Sequence, residues 1–247
     1  MLKEAIEKIV SLADPHVYEI GEEMYTNDKM TRIDPHIDRP NGINFSSLDG
    51  IKQAVREEID RSEIEKPLFI CVTSEVSVSV FTTLRRDNLK RDVLYIADAV
   101  LPSEPPKWSP HEDAMIALRS QYVQNEGSEY LLSLLSNISD DNSVKSEDNG
   151  MTQTVTSRAG VALAAKVAVK PIVALRPYRT FLEVEQPESD FLVRMKPGDK
   201  EKGIQAIIGI IEADGGAWKI KARAAIAEYF RAAFSGEIDR HSVVVVE

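Results

Sequence analysis

Between Leu68 and Val100 the chain spells three β-rich runs whose links are too short for crossover helices, and this limits the fold more than any other stretch does. Leu68 to Thr73 is a continuous apolar run. Val76, Val78 and Val80 then alternate with Ser77 and Ser79, a period of two that puts the valines on one buried face and the serines on the other. The third run, Val93 to Val100, closes before Pro102, Pro105 and Pro106. Upstream, Leu48, Ile51, Val55 and Ile59 recur every three or four residues behind a Ser46-x-x-Asp49 start, which predicts a helix ending near Ser62. A helix and three closely linked strands make an antiparallel α/β layer.

The flanking segments are read in the same way. Leu2, Ile6, Ile9 and Val10 have helical spacing and Asp14-Pro15 stops it, so residues 2–13 form a short amphipathic helix. Tyr18, Ile20 and Tyr25 suggest a strand or hairpin before the turns at Asp34-Pro35, Arg39-Pro40 and Asn41-Gly42. Ser109-Pro110 starts a helix with proline at its first position, and Ala114, Leu118 and Tyr122 share its apolar face. A second helix runs from Ser128 to Asn137, and the polar stretch Ser139 to Gly150 reads as an exposed, mobile loop.

Past Gly150 the β pattern returns with alternating Thr152, Thr154 and Thr156. Val161 to Ala168 and Ile172 to Leu175 are β-branched, but alanine-rich enough to be helical as well. Phe181 to Glu185 and Phe191 to Met195 read as a hairpin around Pro187-Glu188-Ser189-Asp190, and Ile204 to Glu212 as another strand. Asp214-Gly215-Gly216 leads into a last helix with Trp218, Ala222, Ile226 and Phe230 on one face; Ser235-Gly236 caps it, and Val243 to Val246 adds a final strand. The class is α+β, with mostly antiparallel sheets, about four helices, an N-terminal α/β layer and a β-rich C-terminal part. The expected division is an α/β domain over 1–105, a helical connector with the polar loop over 106–150, and a β-rich domain over 151–247.

A chain of 247 residues, 43% hydrophobic and 28% charged, can bury a core without metal or disulfide staples. Its one cysteine, Cys71, lies in an apolar run and reads as an inert buried side chain. Neither a signal-peptide pattern nor a membrane-length apolar stretch is present, so a soluble cytoplasmic protein is expected. The net charge of −10 opposes binding to duplex nucleic acid, and the basic group Arg85-Arg86 with Lys90-Arg91 reads as solvated surface between two strands.

No phosphate loop, dinucleotide fingerprint, nucleophile elbow or metalloprotease helix occurs. Asp34-Pro35-His36-Ile37-Asp38 offers two carboxylates and an imidazole, but no second ligand-rich motif completes a metal site, and a structural turn is the simpler reading. His111-Glu112-Asp113 fits the first turn of a helix, where acids meet the positive end of the dipole. No catalytic residue, metal or cofactor is therefore assigned.

The candidate binding residues are Arg176, Tyr178, Arg179, Asp214 and Gly215. Two guanidinium forks beside an aromatic ring can clamp a phosphate and stack on a base. The structural alternative pairs Arg179 with Glu183 or Glu185, which share its strand parity, while Tyr178 and Phe181 pack in the core; it is the favoured one. Asp214-Gly215-Gly216 supplies an N-cap and a tight turn, and an exposed helix N-terminus there could also receive an anion.

Four strings carry a family resemblance: Trp108-x-x-His111, then Asp148-Asn149-Gly150-x-x-Gln153 before Gly160-Val161, then Pro177-Tyr178-Arg179-Thr180-Phe181-x-Glu183-x-Glu185-Gln186-Pro187-x-Ser189, and Glu212-Ala213-Asp214-Gly215-Gly216-Ala217-Trp218-Lys219. On these the chain resembles the YfdQ-like family of uncharacterised phage and prophage proteins, from about Ser46 to the end, with the last two strings the most specific. The resemblance implies a phage context and carries over no functional site. It leads to an expected non-enzymatic accessory protein in the host cytoplasm, a homo-oligomer that binds a host protein or a small nucleotide-like ligand, with counter-defence as one such role. The alternatives are a metal-dependent hydrolase or nucleotide-processing enzyme built on Asp34, His36, Asp38 or His111, and a phage structural or assembly component.

Overall fold

The computed structural model describes residues 2–13, 16–26, 32–33, 40–61, 65–86, 89–136, 145–148, 153–157, 165–196 and 205–247. They fall in two units, residues 1–40 and 41–247. The first unit holds helix α1 (Leu2–Ala13) and strands β1 (Val17–Ile20), β2 (Glu23–Thr26) and β3 (Arg32–Ile33), which form an antiparallel sheet in that order. Gly21, at φ +67°, takes the first position of the two-residue turn between β1 and β2, where a side chain would be strained. The apolar stripe of α1 is exposed at Leu2, Ile6, Ile9 and Val10.

The second unit runs β4 (Ile43–Phe45), α2 (Leu48–Ile59), β5 (Leu68–Ser74), β6 (Ser77–Phe81), β7 (Val93–Asp98), β8 (Trp108–Pro110), α3 (His111–Ser120), β9 (Tyr122–Val123) and α4 (Glu126–Ser136). It continues through β10 (Lys145–Asp148), β11 (Gln153–Ser157), β12 (Ala165–Val169), β13 (Ile172–Pro177), β14 (Ser189–Lys196) and β15 (Ile207–Glu212) to α5 (Trp218–Ala233), α6 (Ser235–Asp239) and β16 (Val243–Val246). The class is α+β. One five-stranded sheet has the order β16-β5-β6-β7-β4, with the two edge strands parallel to their neighbours and the middle three antiparallel. The other, β8-β15-β14-β13-β9, is antiparallel throughout, and β10-β11-β12 make a small third sheet.

Each large sheet has its own core. Val78 and Val80 point inward from β6, as the alternation requires, to meet Leu48, Ile51 and Val55 of α2 and Ile226 and Phe230 of α5. In the second core Leu118 of α3 and Leu131 and Leu135 of α4 cover Val173, Val193 and Ile208. Residues 151–247 thus serve both cores: β12 to β15 build the second, whereas α5 and β16 return to the first.

Several expectations need correction. The hairpin does not pair 181–185 with 191–195; its strands are β13 and β14, and 178–188 is the loop between them. Gln186 is the physical reason: its side-chain oxygen accepts the N–H groups of Arg179 (3.0 Å) and Thr180 (3.2 Å), and its amide donates to Phe181 O (2.9 Å). Backbone groups satisfied by a side chain need no strand partner. Ser47, not Ser46, caps α2 by accepting the Gly50 N–H at 3.1 Å. Pro110 ends edge strand β8 and stands just before α3 rather than inside it, while Tyr122 lies beyond that helix in β9.

Helix α4 starts at Glu126, before Ser128, because Asn125 and Ser128 cap each other: each side-chain oxygen accepts the other's backbone N–H at 2.9 Å. Ser235-Gly236 opens α6 instead of capping α5. Within the polar stretch after α4, residues 145–148 are a strand. The ambiguous segments at 165–169 and 172–177 are both strands. Asp34, His36, Asp38 and Gly160 lie outside the described residues.

Candidate functional site

The loop 178–188 starts at the end of β13 and reaches into the other sheet's core. Phe181, 2% exposed, packs with the residues of α2, β5 and α5, and the Thr180 hydroxyl donates to Glu75 O at 2.6 Å in the turn between β5 and β6. Glu183 accepts the Leu48 N–H at 2.8 Å, adding a carboxylate to the start of α2, where the helix dipole favours one. Neither Glu183 nor Glu185 pairs with Arg179. The parity argument fails because the segment is not a strand.

Arg179 instead meets residues from its own string, 177–189, and from the string 212–219. Its Nη1 is bound to Glu212 at the end of β15, while Nη2 donates to Ser189 Oγ and to Pro187 O at 3.2 Å. Ser189 in turn donates to Asp214, whose carboxylate accepts the N–H groups of Gly216 (2.9 Å) and Trp218 (3.2 Å). Gly215 and Gly216, at φ +65° and +83°, turn the chain so that α5 starts beside the guanidinium. Trp218 then lies against Arg179, ring centre to guanidinium carbon 4.0 Å.

Burial pulls Arg179 below the ordinary arginine value, against the pull of Glu212. Burial pushes the Asp214 carboxyl up, but the bonds from Ser189, Gly216 and Trp218, with Arg179 nearby, outweigh it and leave it lowered. Burial is also the main reason that the Tyr122 phenol is pushed up to about 12.

These groups border a cavity of about 560 Å³, within the usual range for small-molecule sites. Gln121, Tyr122, Tyr178, Arg179, Phe191 and Trp218 form much of its wall, and the extended segment 101–105 forms another side. Three cationic and three acidic side chains line it: Lys107, Arg179 and Lys219 against Glu75, Glu104 and Glu212. Two opposite pairs are made within it, Arg179 with Glu212 and Lys219 with Glu75, the latter at 3.0 Å. Three of the lining residues also carry a fully buried side-chain atom that makes no hydrogen bond with the described residues: Trp218 Nε1, Arg179 Nε and Gln121 Oε1.

Of the five residues that the sequence singled out, Tyr178 and Arg179 line this cavity, Asp214 stands behind Arg179, and Gly215 shapes the turn. Arg176 is not brought to them. It bridges Glu185 (2.7 Å) and Glu188 (3.2 Å) and lines a separate opening of about 450 Å³ with Asn125, Tyr130 and Lys170. Gln121, Glu75 and Lys107 escaped the sequence reading, since nothing local to them signals a site around Arg179, which lies 58 to 104 residues further along the chain.

Among the described residues no group of three or more His, Cys, Asp or Glu side chains could hold a metal ion, and no helix is long and apolar enough to cross a membrane. Cys71 is half-buried in β5, and burial raises its thiol, which fits the inert reading. The chain matches no protein-family model, no curated protein and no solved structure.

Proposed function

We propose that this chain is a phage or prophage accessory protein that works in the host cytoplasm by binding rather than by making or breaking bonds, and that its binding site is the cavity beside Arg179 and Trp218. The observation that carries the reading is a cavity of about 560 Å³ walled by aromatic side chains and bordered by two ion pairs, Arg179 with Glu212 and Lys219 with Glu75. Among the displaced groups at the site, Glu75 and Asp214 move downward and Tyr122 upward, away from neutrality, while burial moves Arg179 downward from its strongly basic ordinary value. General acid or base catalysis works best with a group poised near the operating pH.

The phage context rests on the four strings that resemble the YfdQ-like family. Two of them, 177–189 and 212–219, meet at this cavity. Self-association is supported by the exposed apolar stripe of α1 and by β16, an edge strand able to pair with another chain. A thermal-shift screen of the full chain against nucleosides, nucleotides, cyclic nucleotides and other small aromatic metabolites tests the binding reading. Stabilisation that disappears in Arg179→Ala supports it, and no stabilisation by any compound counts against it. Light scattering after size exclusion tests the oligomer, which a strict monomer removes.

A further inference from the structure

Six charged side chains line the cavity beside Arg179, and four of them pair with one another, Arg179 with Glu212 and Lys219 with Glu75. One of each sign is left over. Lys107 and Glu104 make no ion pair and no side-chain hydrogen bond with the described residues. Both are exposed and stand on the segment 101–107, so they mark the mouth of the cavity rather than its depth. Lys107 O accepts the Ile210 N–H at 3.0 Å, which fastens this segment to β15. Glu104 is turned toward the opening: the Tyr122 phenol, raised by burial against the pull of Arg179, is raised further by the Glu104 charge.

Further in, the wall is aromatic. Tyr122 and Phe191 are buried and meet edge to face, their ring centres 6.3 Å apart, and Tyr178 lines the same space. A ligand that is only an anion satisfies Lys107 but is repelled by Glu104, and one that is only a cation meets the reverse. A ligand with both charges at one end and an apolar body at the other satisfies all three features. Resting on the binding reading above, we infer that the cavity takes a free α-amino acid with an aromatic or large aliphatic side chain. Its carboxylate pairs with Lys107 and its ammonium with Glu104 at the mouth, and its side chain lies against the rings of Tyr122, Tyr178 and Phe191.

Calorimetric titration of the full chain with phenylalanine, tyrosine, tryptophan and leucine, with the N-acetyl and the amide form of each, and with the 5′-monophosphates of adenosine and uridine tests this. At least one free amino acid is expected to bind, and its N-acetyl form, without the ammonium, and its amide, without the carboxylate, each about tenfold more weakly. The two charges are then separated by variants. Glu104→Gln should abolish the penalty for acetylation and keep that for the amide, and Lys107→Met should do the opposite. Neither side chain bonds within the described protein, so the melting temperature without ligand should hold in both. Blocked forms that bind as tightly as the free amino acid, or penalties that neither variant changes, overturn the inference. A monophosphate that binds more tightly than every amino acid overturns the ligand class but leaves the cavity a binding site. If no compound binds, the inference fails outright, and the wider binding reading is then judged by the thermal-shift screen alone.

Discussion

The Arg179 guanidinium lies 4.0 Å from the centre of the Trp218 ring, and the contact joins two strings that are far apart in the chain. The side chain is only 12% exposed and is held by Glu212, Ser189 and the Pro187 carbonyl. A lysine keeps the charge but loses the planar fork and the flat stacking face. Arg179→Lys is expected to lower stability by about 2 kcal/mol, read as a shift in the urea midpoint without a change in slope.

Asp214 is held below the ordinary aspartate value, since its hydrogen bonds and Arg179 outweigh burial. A carboxyl depressed in the folded state adds stability that is present above its unfolded value, about 3.9, and is lost as pH falls through the folded value. Asp214→Asn should therefore be less stable than the parent at neutral pH, and the gap should narrow on acidification. Urea unfolding at a series of pH values checks it; a gap that widens toward low pH would contradict the assignment.

Two phenols, one in each core, respond to alkali. Burial, helped by a hydrogen bond to Glu58 in the case of Tyr95, pushes both Tyr95 and Tyr122 up to about 12 from an ordinary 10.0. Raised values in the fold mean stability that is complete below about 10 and lost as pH climbs toward the folded value. Burial raises the Tyr229 phenol as well, so tyrosinate absorbance should show Tyr95 and Tyr122 among the late-titrating groups, with Tyr122→Phe and Tyr95→Phe each removing one.

Gly127 sits in α4 where a methyl group has no space: an added Cβ would come within 2.0 Å of Ala174 O and 2.9 Å of Val173 Cγ1. Gly127→Ala should cost about 3 kcal/mol despite the better helix propensity of alanine, because strand β13 would have to shift. Thermal unfolding of the variant reads it directly. A stabilised variant would mean that helix and strand do not approach so closely.

Phe181 belongs by sequence to the loop of one sheet and by contact to the core of the other. Phe181→Ala should cost about 3–5 kcal/mol. Hydrogen exchange would locate the loss: faster exchange in α2, β5 and α5 is expected, whereas faster exchange confined to β13 and β14 would deny the crossing.

The regular elements were legible because their signals are local. Leu48, Ile51 and Val55 announce one helix face, and Val78 and Val80 one strand face, from spacing alone. The loop after Pro177 was not, because it is shaped by Gln186 acting on backbone groups five to seven residues away, which no hydrophobic period records. Arg179 showed its importance in the sequence but not its partner. Glu212 and Trp218 reach it only through the sheet order that brings β15 and α5 beside the loop, and Gln121 comes to the same cavity from the end of α3.

Strand β16 lies parallel to β5, with Val243 opposite Leu68, and it closes a sheet whose other strands are all made much earlier in the chain. During synthesis on the ribosome, β5 therefore emerges with a bare flank and waits while the entire second sheet is translated. Non-local pairing of this kind slows assembly and leaves hydrogen-bonding groups open to strangers in the interval. The layer that is written first is sealed last.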